Sequence, residues 1–402
     1  MLKPFLFALA LRFIIAIIGF YFVTLPYSSD DAVYNDNTAW LLSQSGFWEV
    51  FSRDVPRSGS EYYVRFIGFI YYFIGRLPLA MILLNVLFGS LTVLNIYLLS
   101  CFLWGKRWAV RCAWIAALFP SMILLSTVLL REAPIHFFSS LGLLYLARFF
   151  KFRRAVNFLG FLICFLLAAS LHSVFIIVPI VLAIYTFINQ LSSKKKRIMK
   201  RGRFILVSMI LLVLLTTALY SGFGLAKFAR LIEDFNAFSL QQLSQIIFDV
   251  QASRAREINR GTYLSSLQVS RPTDLILHAP IRFVYFLFSP FPWMISSLSD
   301  LFGILDASLY VLIILLIVKN RVISKQQKTS DSFLIFVLAA VLALIFLLAF
   351  STSNYGTAIR HRAKLIVFLL LLLPGSVSFL FQENSSRTSK SKRMLIGRRL
   401  ER

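Results

Sequence analysis

The sequence predicts an all-α polytopic membrane protein, with about ten transmembrane helices plus re-entrant or interfacial segments. Three observations predict it. Apolar residues make up 58% of the 402 positions, well above the balance of a soluble domain. Several apolar runs reach the roughly 20 residues needed to cross about 30 Å of hydrocarbon. Basic residues, finally, collect in short runs between the apolar ones, which is the signature of cytoplasmic loops.

Segments 4–24, 77–104, 112–130, 204–222, 331–350 and 363–382 qualify as spans on length and composition. The first follows a single Lys3, contains Arg12 and shows no small-residue cleavage site, so it reads as a retained span and not a signal peptide. Segment 62–75 is short for a crossing, and a crossing there would force the run Lys194 to Arg203 outside. Segment 283–296 carries Ser289-Pro290-Phe291-Pro292-Trp293, whose two prolines break a helix. Both are expected to be re-entrant or interfacial, which protein or a water-filled cavity must support. The stretch 155–191 has to go out and back, with its turn near His172-Ser173. Cys101, Cys112 and Cys164 all sit in apolar segments without CxxC spacing and read as reduced packing residues.

The basic runs are Lys106-Arg107, Lys151 to Arg154, Lys194 to Arg203, Lys319 to Lys328 and Arg387 to Arg402. Placed inside, they put both termini in the cytoplasm and leave loops 25–61, 223–280 and 351–362, with the turn at Arg131-Glu132, on the outer face. Residues 1–382 then form one transmembrane domain and 383–402 a basic cytoplasmic tail. The net charge of +25 lies in these loops, which argues against a nucleic-acid partner and for contact with anionic lipid. No internal repeat suggests the inverted halves of a transporter. Walker, GxGxxG, HExxH and Cys/His metal motifs are absent from the sequence.

Three constellations carry possible chemistry. Asp30-Asp31 follows the first span directly, and the segment Thr38 to Phe51 has the spacing of an amphipathic interfacial helix. Two adjacent carboxylates can serve as general base, as metal ligands or as a solvated turn that caps the helix. Arg131-Glu132 sits at the outer end of a span, where ionisable residues face a cavity or partner, or simply cap the next helix at Pro134. Arg360-His361-Arg362 places cations directly before a span on the side that disfavours them. An anionic phosphate would account for them, as would snorkelling to headgroups.

The order of these features resembles the GT-C superfamily of polyprenyl-phosphate-dependent glycosyltransferases, which includes protein O-mannosyltransferases and the lipid A aminoarabinose transferase. The resemblance rests on Asp30-Asp31, on Glu61-Tyr62-Tyr63-Val64-Arg65-Phe66, on the run Leu83 to Val93 ending in Trp104-Gly105-Lys106-Arg107, and on Leu118-Phe119-Pro120-Ser121 followed by Glu132. Pro290-Phe291-Pro292-Trp293 and Gly356 to Arg362 are similar to stretches of bacterial members. Gly59-Ser60-Glu61-Tyr62 stands where many members carry a His-Pro-Pro sequence.

The resemblance implies a GT-C-like fold in a bacterial inner membrane and transfer of a sugar from a polyprenyl-phosphate donor to a glycan, lipid or protein acceptor. Asp30 or Asp31 would be the catalytic base, Glu132 the second acid, and Arg131, Arg360, His361 and Arg362 the donor-phosphate residues. Tyr34, Glu61, Arg65, Arg254, Arg256 and Arg282 are further candidates for substrate contact. A divalent cation, Mg or Mn, would bind at Asp30 and Asp31 if one is used. The competing reading is an O-antigen-type polymerase or ligase acting on an undecaprenyl-pyrophosphate glycan, in which the loop arginines carry the reaction. A transporter is disfavoured because few charges lie deep in the spans.

Overall fold

The computed structural model describes residues 2–52, 60–191, 261–264, 267, 272–295, 297–319 and 328–374. It shows an all-α protein. Among the described residues the extended pairing is limited to one antiparallel bridge between Thr262 and Asn354. Among the described residues five helices are long and apolar enough to cross a membrane: Leu2–Tyr21, Pro78–Trp104, Glu132–Phe152, Asp300–Val318 and Ser332–Phe350. Shorter apolar helices cover Ala155–Leu171, Ser173–Ile188 and Ala279–Phe288. The expected span 204–222, most of loop 223–280 and the tail 383–402 lie outside the described residues.

Helix α1 (Leu2–Tyr21) buries Pro4, Ala8, Arg12 and Ala16, one residue per turn, and leaves Leu6, Phe13, Ile14 and Ile18 exposed. Small residues at that spacing let α1 approach α5 (Pro78–Trp104) and α6 (Lys106–Leu118) closely. Pro78 starts α5, where its missing N–H costs nothing, and Gly105 ends it at φ 84°. Between α1 and α5 lie α2 (Asp31–Ser45), α3 (Glu49–Ser52) and α4 (Glu61–Ile74).

One expectation needs correcting here. The helix foreseen over Thr38 to Phe51 begins at Asp31 and breaks at Gly46, whose φ of 125° favours glycine. It buries Ala32, Asn35, Ala39 and Leu42 and packs against α4. Segment 62–75 is a regular helix with no break in its backbone.

The irregular backbone lies instead inside 112–130, which was expected to be one span. There α6 ends at Leu118, Phe119 is extended, and a short α7 (Pro120–Leu124) follows before turns and bends lead to Arg131. Pro120 explains the break, since it lacks an N–H and biases the preceding residue toward extended backbone. The Ala116 carbonyl loses its partner, and Ser121 N–H, which could have served Ala117, donates to Asp306 Oδ1 at 3.1 Å. Arg12 meets both freed carbonyls: Nη2 donates to Ala116 O at 3.2 Å and Nη1 to Ala117 O at 3.1 Å. Its Nε donates to Ser126 Oγ at 3.1 Å.

The loop beyond α7 is buried from Leu125 to Leu130, so its carbonyls need internal donors. Asn85 Nδ2 lies 2.8 Å from both Val128 O and Leu130 O, and Asn35 Nδ2 donates to Leu129 O at 3.0 Å. Gly89 of α5 permits this approach, because a Cβ there would sit 2.6 Å from Ser126 Cβ. Replacing Arg12 by leucine is expected to lower stability by about 2–4 kcal/mol through the stranded carbonyls. Lysine, a point charge that cannot span three acceptors, should fall between; thermal unfolding in detergent would establish the order.

The second half of the bundle begins with α8 (Glu132–Phe152), which packs on α5 and on α9 (Ala155–Leu171). A 3-10 turn at Ser173–Ile176 leads into α10 (Ile177–Leu191), so the helical run breaks at His172. Then come α11 (Pro272–Leu277), α12 (Ala279–Phe288), α13 (Leu298–Lys319), α14 (Lys328–Phe350) and α15 (Tyr355–Ala363). The Pro290 and Pro292 region interrupts the helical backbone as expected, with a 3-10 turn at Pro292–Met294. Helical structure resumes over 366–374. From 361 to 374 every residue is buried except the half-buried Leu372. A helix that is apolar all round belongs inside protein.

Candidate active site

The site forms where the first residues of α2 and α8 meet α15. Asn354 caps α15, its Oδ1 accepting from Gly356 N–H at 2.7 Å and Thr357 N–H at 3.4 Å. The cap orients two faces of one short helix. Arg360 points to one of them: its Nη1 donates to Asp31 Oδ2 at 2.5 Å, while Nε and Nη2 lie 3.0 and 2.9 Å from Glu132 Oε1. Three positions that the sequence singled out separately, 329 residues apart at the extremes, therefore form one ion-pair cluster.

Burial differs sharply across the cluster. The Glu132 side chain is 1% exposed and that of Asp31 46%. Burial pushes the Arg360 guanidinium down, but the Glu132 and Asp31 carboxylates outweigh it and hold its pKa above the ordinary arginine value. Lys364, one turn beyond Arg360, brings its Nζ within 3.7 Å of Glu132 Oε1. Glu132 Oε2 and Lys364 Nζ are both buried without a hydrogen-bond partner. Helix α2 is fixed beneath Asp31 by Asn35 and by Asp36, whose carboxylate accepts from Tyr71 Oη and Arg76 Nη2, each at 2.6 Å.

Asp30 does not share this geometry. It is exposed, has a φ of 45° and makes no side-chain cap to α2. Tyr34 is half-buried one turn into α2. Arg131 donates through Nη1 to Leu171 O, the last residue of α9, at 2.9 Å. His361 Nδ1 lies 3.0 Å from Thr352 Oγ1, and its ring meets that of His172 edge-on at 5.2 Å.

Arg362 points away from the cluster. It pairs with Asp306 of α13 at 3.1 Å and donates to the carbonyls of Leu287, Ser289 and Gly303. The Tyr310 hydroxyl donates to the Arg362 carbonyl at 2.9 Å, and the Tyr310 ring faces the guanidinium. The expected phosphate role for Arg362 thus gives way to an internal brace, because its donors are committed inside the protein. Glu61 and Arg65 also pair with each other, at 2.8 Å, and Arg65 Nη1 donates to Val50 O at 2.7 Å. They tie α3 to α4 and stand outside the cluster. Arg282 is buried on α12, over the Phe350 ring. Arg254 and Arg256 lie outside the described residues.

The residues do not fit a divalent cation. Among the described residues no three His, Cys, Asp or Glu side chains converge, and Asp31 already faces a guanidinium. Of the expected Asp30-Asp31 metal pair, Asp31 is bonded to Arg360 and Asp30 stands exposed on the turn before α2.

Sequence reasoning missed Lys364, Asp306 and the two asparagines. Lys364 had a usable signal, as an ionisable residue opening a long apolar run. Asp306 lay inside an apolar helix, where the same rule applies. Asn35 and Asn85 gave none, since their role depends on a loop whose path the sequence does not show. In comparisons with known proteins, no family model matches this chain and no curated protein matches it.

Proposed function

We propose that the chain is a membrane glycosyltransferase that moves a sugar from a polyprenyl-phosphate-linked donor to a hydroxyl of a glycan, lipid or protein acceptor. One observation carries the reading: Arg360 holds Asp31 and Glu132 together while leaving Asp31 half-open. A half-open carboxylate beside a buried acid–base network suits proton abstraction from an acceptor hydroxyl. The acceptor oxygen bonds to the anomeric carbon as the bond from that carbon to the phosphate oxygen breaks. The proton passes to Asp31, and the phosphate leaves with the electron pair. Direct displacement inverts the anomeric centre.

Each remaining group has a task in this scheme. Glu132 anchors Arg360 and keeps the guanidinium at Asp31. Arg131 and Arg360, the latter 17% exposed where Arg362 is fully buried, stabilise the negative charge that develops on the leaving phosphate. The resemblance to the GT-C superfamily supports the same assignment and suggests about ten spans in a bacterial inner membrane, with both ends cytoplasmic and the site on the outer face.

The test is transfer by purified protein from a radiolabelled polyprenyl-phosphate sugar. Arg360→Gln is expected to reduce kcat at least about 100-fold, and Arg360→Lys to restore only part of it. Full activity in Arg360→Gln would refute the assignment.

A further inference from the structure

The geometry points to a second anion site, centred on Arg282 and Tyr263 and apart from the acid cluster, that takes a phosphate oxyanion. Arg282 is 2% exposed. Its Nη2 donates to Leu267 O, and the guanidinium carbon lies 5.6 Å from the centre of the Phe350 ring. The Nε and Nη1 donors are buried and meet no acceptor. Among the described residues no carboxylate pairs with Arg282, whereas Arg360 pairs with two and Arg362 with one.

Tyr263 lies against the same helix. Its N–H donates to Ser353 O at 2.8 Å, which fixes it beside the start of α15. Its ring is 5.3 Å from that of Tyr285, three residues past Arg282, and it is 4% exposed with its hydroxyl unpartnered. His278 Nδ1, one turn before Arg282, is also buried without a partner. Arg282 and Tyr263 interact with each other electrostatically, and both can donate hydrogen bonds. A buried guanidinium with free donors is costly, and an oxyanion with several acceptor oxygens satisfies such a set.

The neighbourhood bears on the source of that anion. Ile276 and Leu277 of α11 and Ile281 and Val284 of α12 are exposed apolar residues beside the site, the kind of surface that faces lipid. A phosphate carried on a lipid could arrive from that side, and a free phosphate would offer the same oxygens. The site asks only for an anion and does not depend on the transferase reading.

The experiment measures thermal unfolding of the purified full chain in uncharged detergent, titrated with farnesyl phosphate, farnesol or sodium phosphate at matched ionic strength. Farnesyl phosphate or sodium phosphate is expected to raise the midpoint, with apparent affinity at least tenfold weaker in Arg282→Gln and severalfold weaker in Tyr263→Phe. Arg282→Lys should keep most of it. Protection by farnesyl phosphate alone assigns a lipid-borne ligand, and equal protection by sodium phosphate assigns the free anion. The proposal is overturned if neither anion protects, if farnesol protects equally, or if protection is the same in both variants. Tyr263→Phe removes a single hydroxyl and decides the matter should Arg282→Gln fail to fold. Arg360→Gln, which removes the guanidinium of the acid cluster, should keep the protection that depends on Arg282, which separates this site from the catalytic reading.

Discussion

Asp31→Asn is expected to reduce transfer at least about 100-fold, while Asp30→Asn leaves it within about threefold, because general-base loss typically costs 10²–10⁴. The contrast is the informative part. Adjacent in sequence, the two aspartates occupy different environments: Asp31 is bonded to Arg360, and Asp30 is exposed on a turn. Asparagine preserves size and can still accept from the guanidinium, so the variant should insert and fold normally. Surface glycan in cells lacking the native protein, with membrane levels of each variant measured, gives the readout. Equal loss in both variants would mean that the cluster does not select between them, and unchanged glycan in Asp31→Asn would remove the base from the mechanism.

Arg362→Leu is expected to cost about 3–5 kcal/mol of stability, the range for leaving one partner of a buried ion pair uncompensated. Asp306 would remain buried at 1% exposure beside three carbonyls that had shared the lost guanidinium. The double variant Arg362→Leu with Asp306→Leu should recover part of the loss, since the stranded charge is gone but the carbonyls stay unmet. Thermal midpoints in detergent for the two single variants and the double give the coupling directly. Because Asp306→Leu also strands the Ser121 N–H, a double variant no better than Arg362→Leu would place the effect on the unmet backbone groups and not on the lone charge.

Much of the helical framework was legible in the sequence because lipid imposes a length on apolar runs. The expected spans 4–24, 77–104 and 331–350 correspond to helices Leu2–Tyr21, Pro78–Trp104 and Lys328–Phe350. The failure over 112–130 has a physical cause: hydropathy registers apolar content and not backbone continuity. Pro120 was visible, yet nothing local showed that Arg12 and Asp306 would supply the partners a break requires. The site was half legible. Asp31, Glu132 and Arg360 stood out as ionisable residues in costly places, but the difference between Arg360 and Arg362 is one of helix face. Two residues apart on a helix, they cannot share a direction, and which face met the acids depended on packing across the whole bundle.

The helix that continues from α15 has an implication for how the chain is put together. Residues 361–374 are buried apart from the half-buried Leu372 and meet earlier helices, with Leu370 O accepting from Cys112 and Leu371 O from Trp104. A nascent chain stopped short of them carries an open slot, with Glu132 and Asp306 lacking the cations that answer them. Arrival of Arg360, Arg362 and Lys364 then closes the slot and neutralises both acids in one event, which makes completion of the bundle and completion of the site the same step of biogenesis.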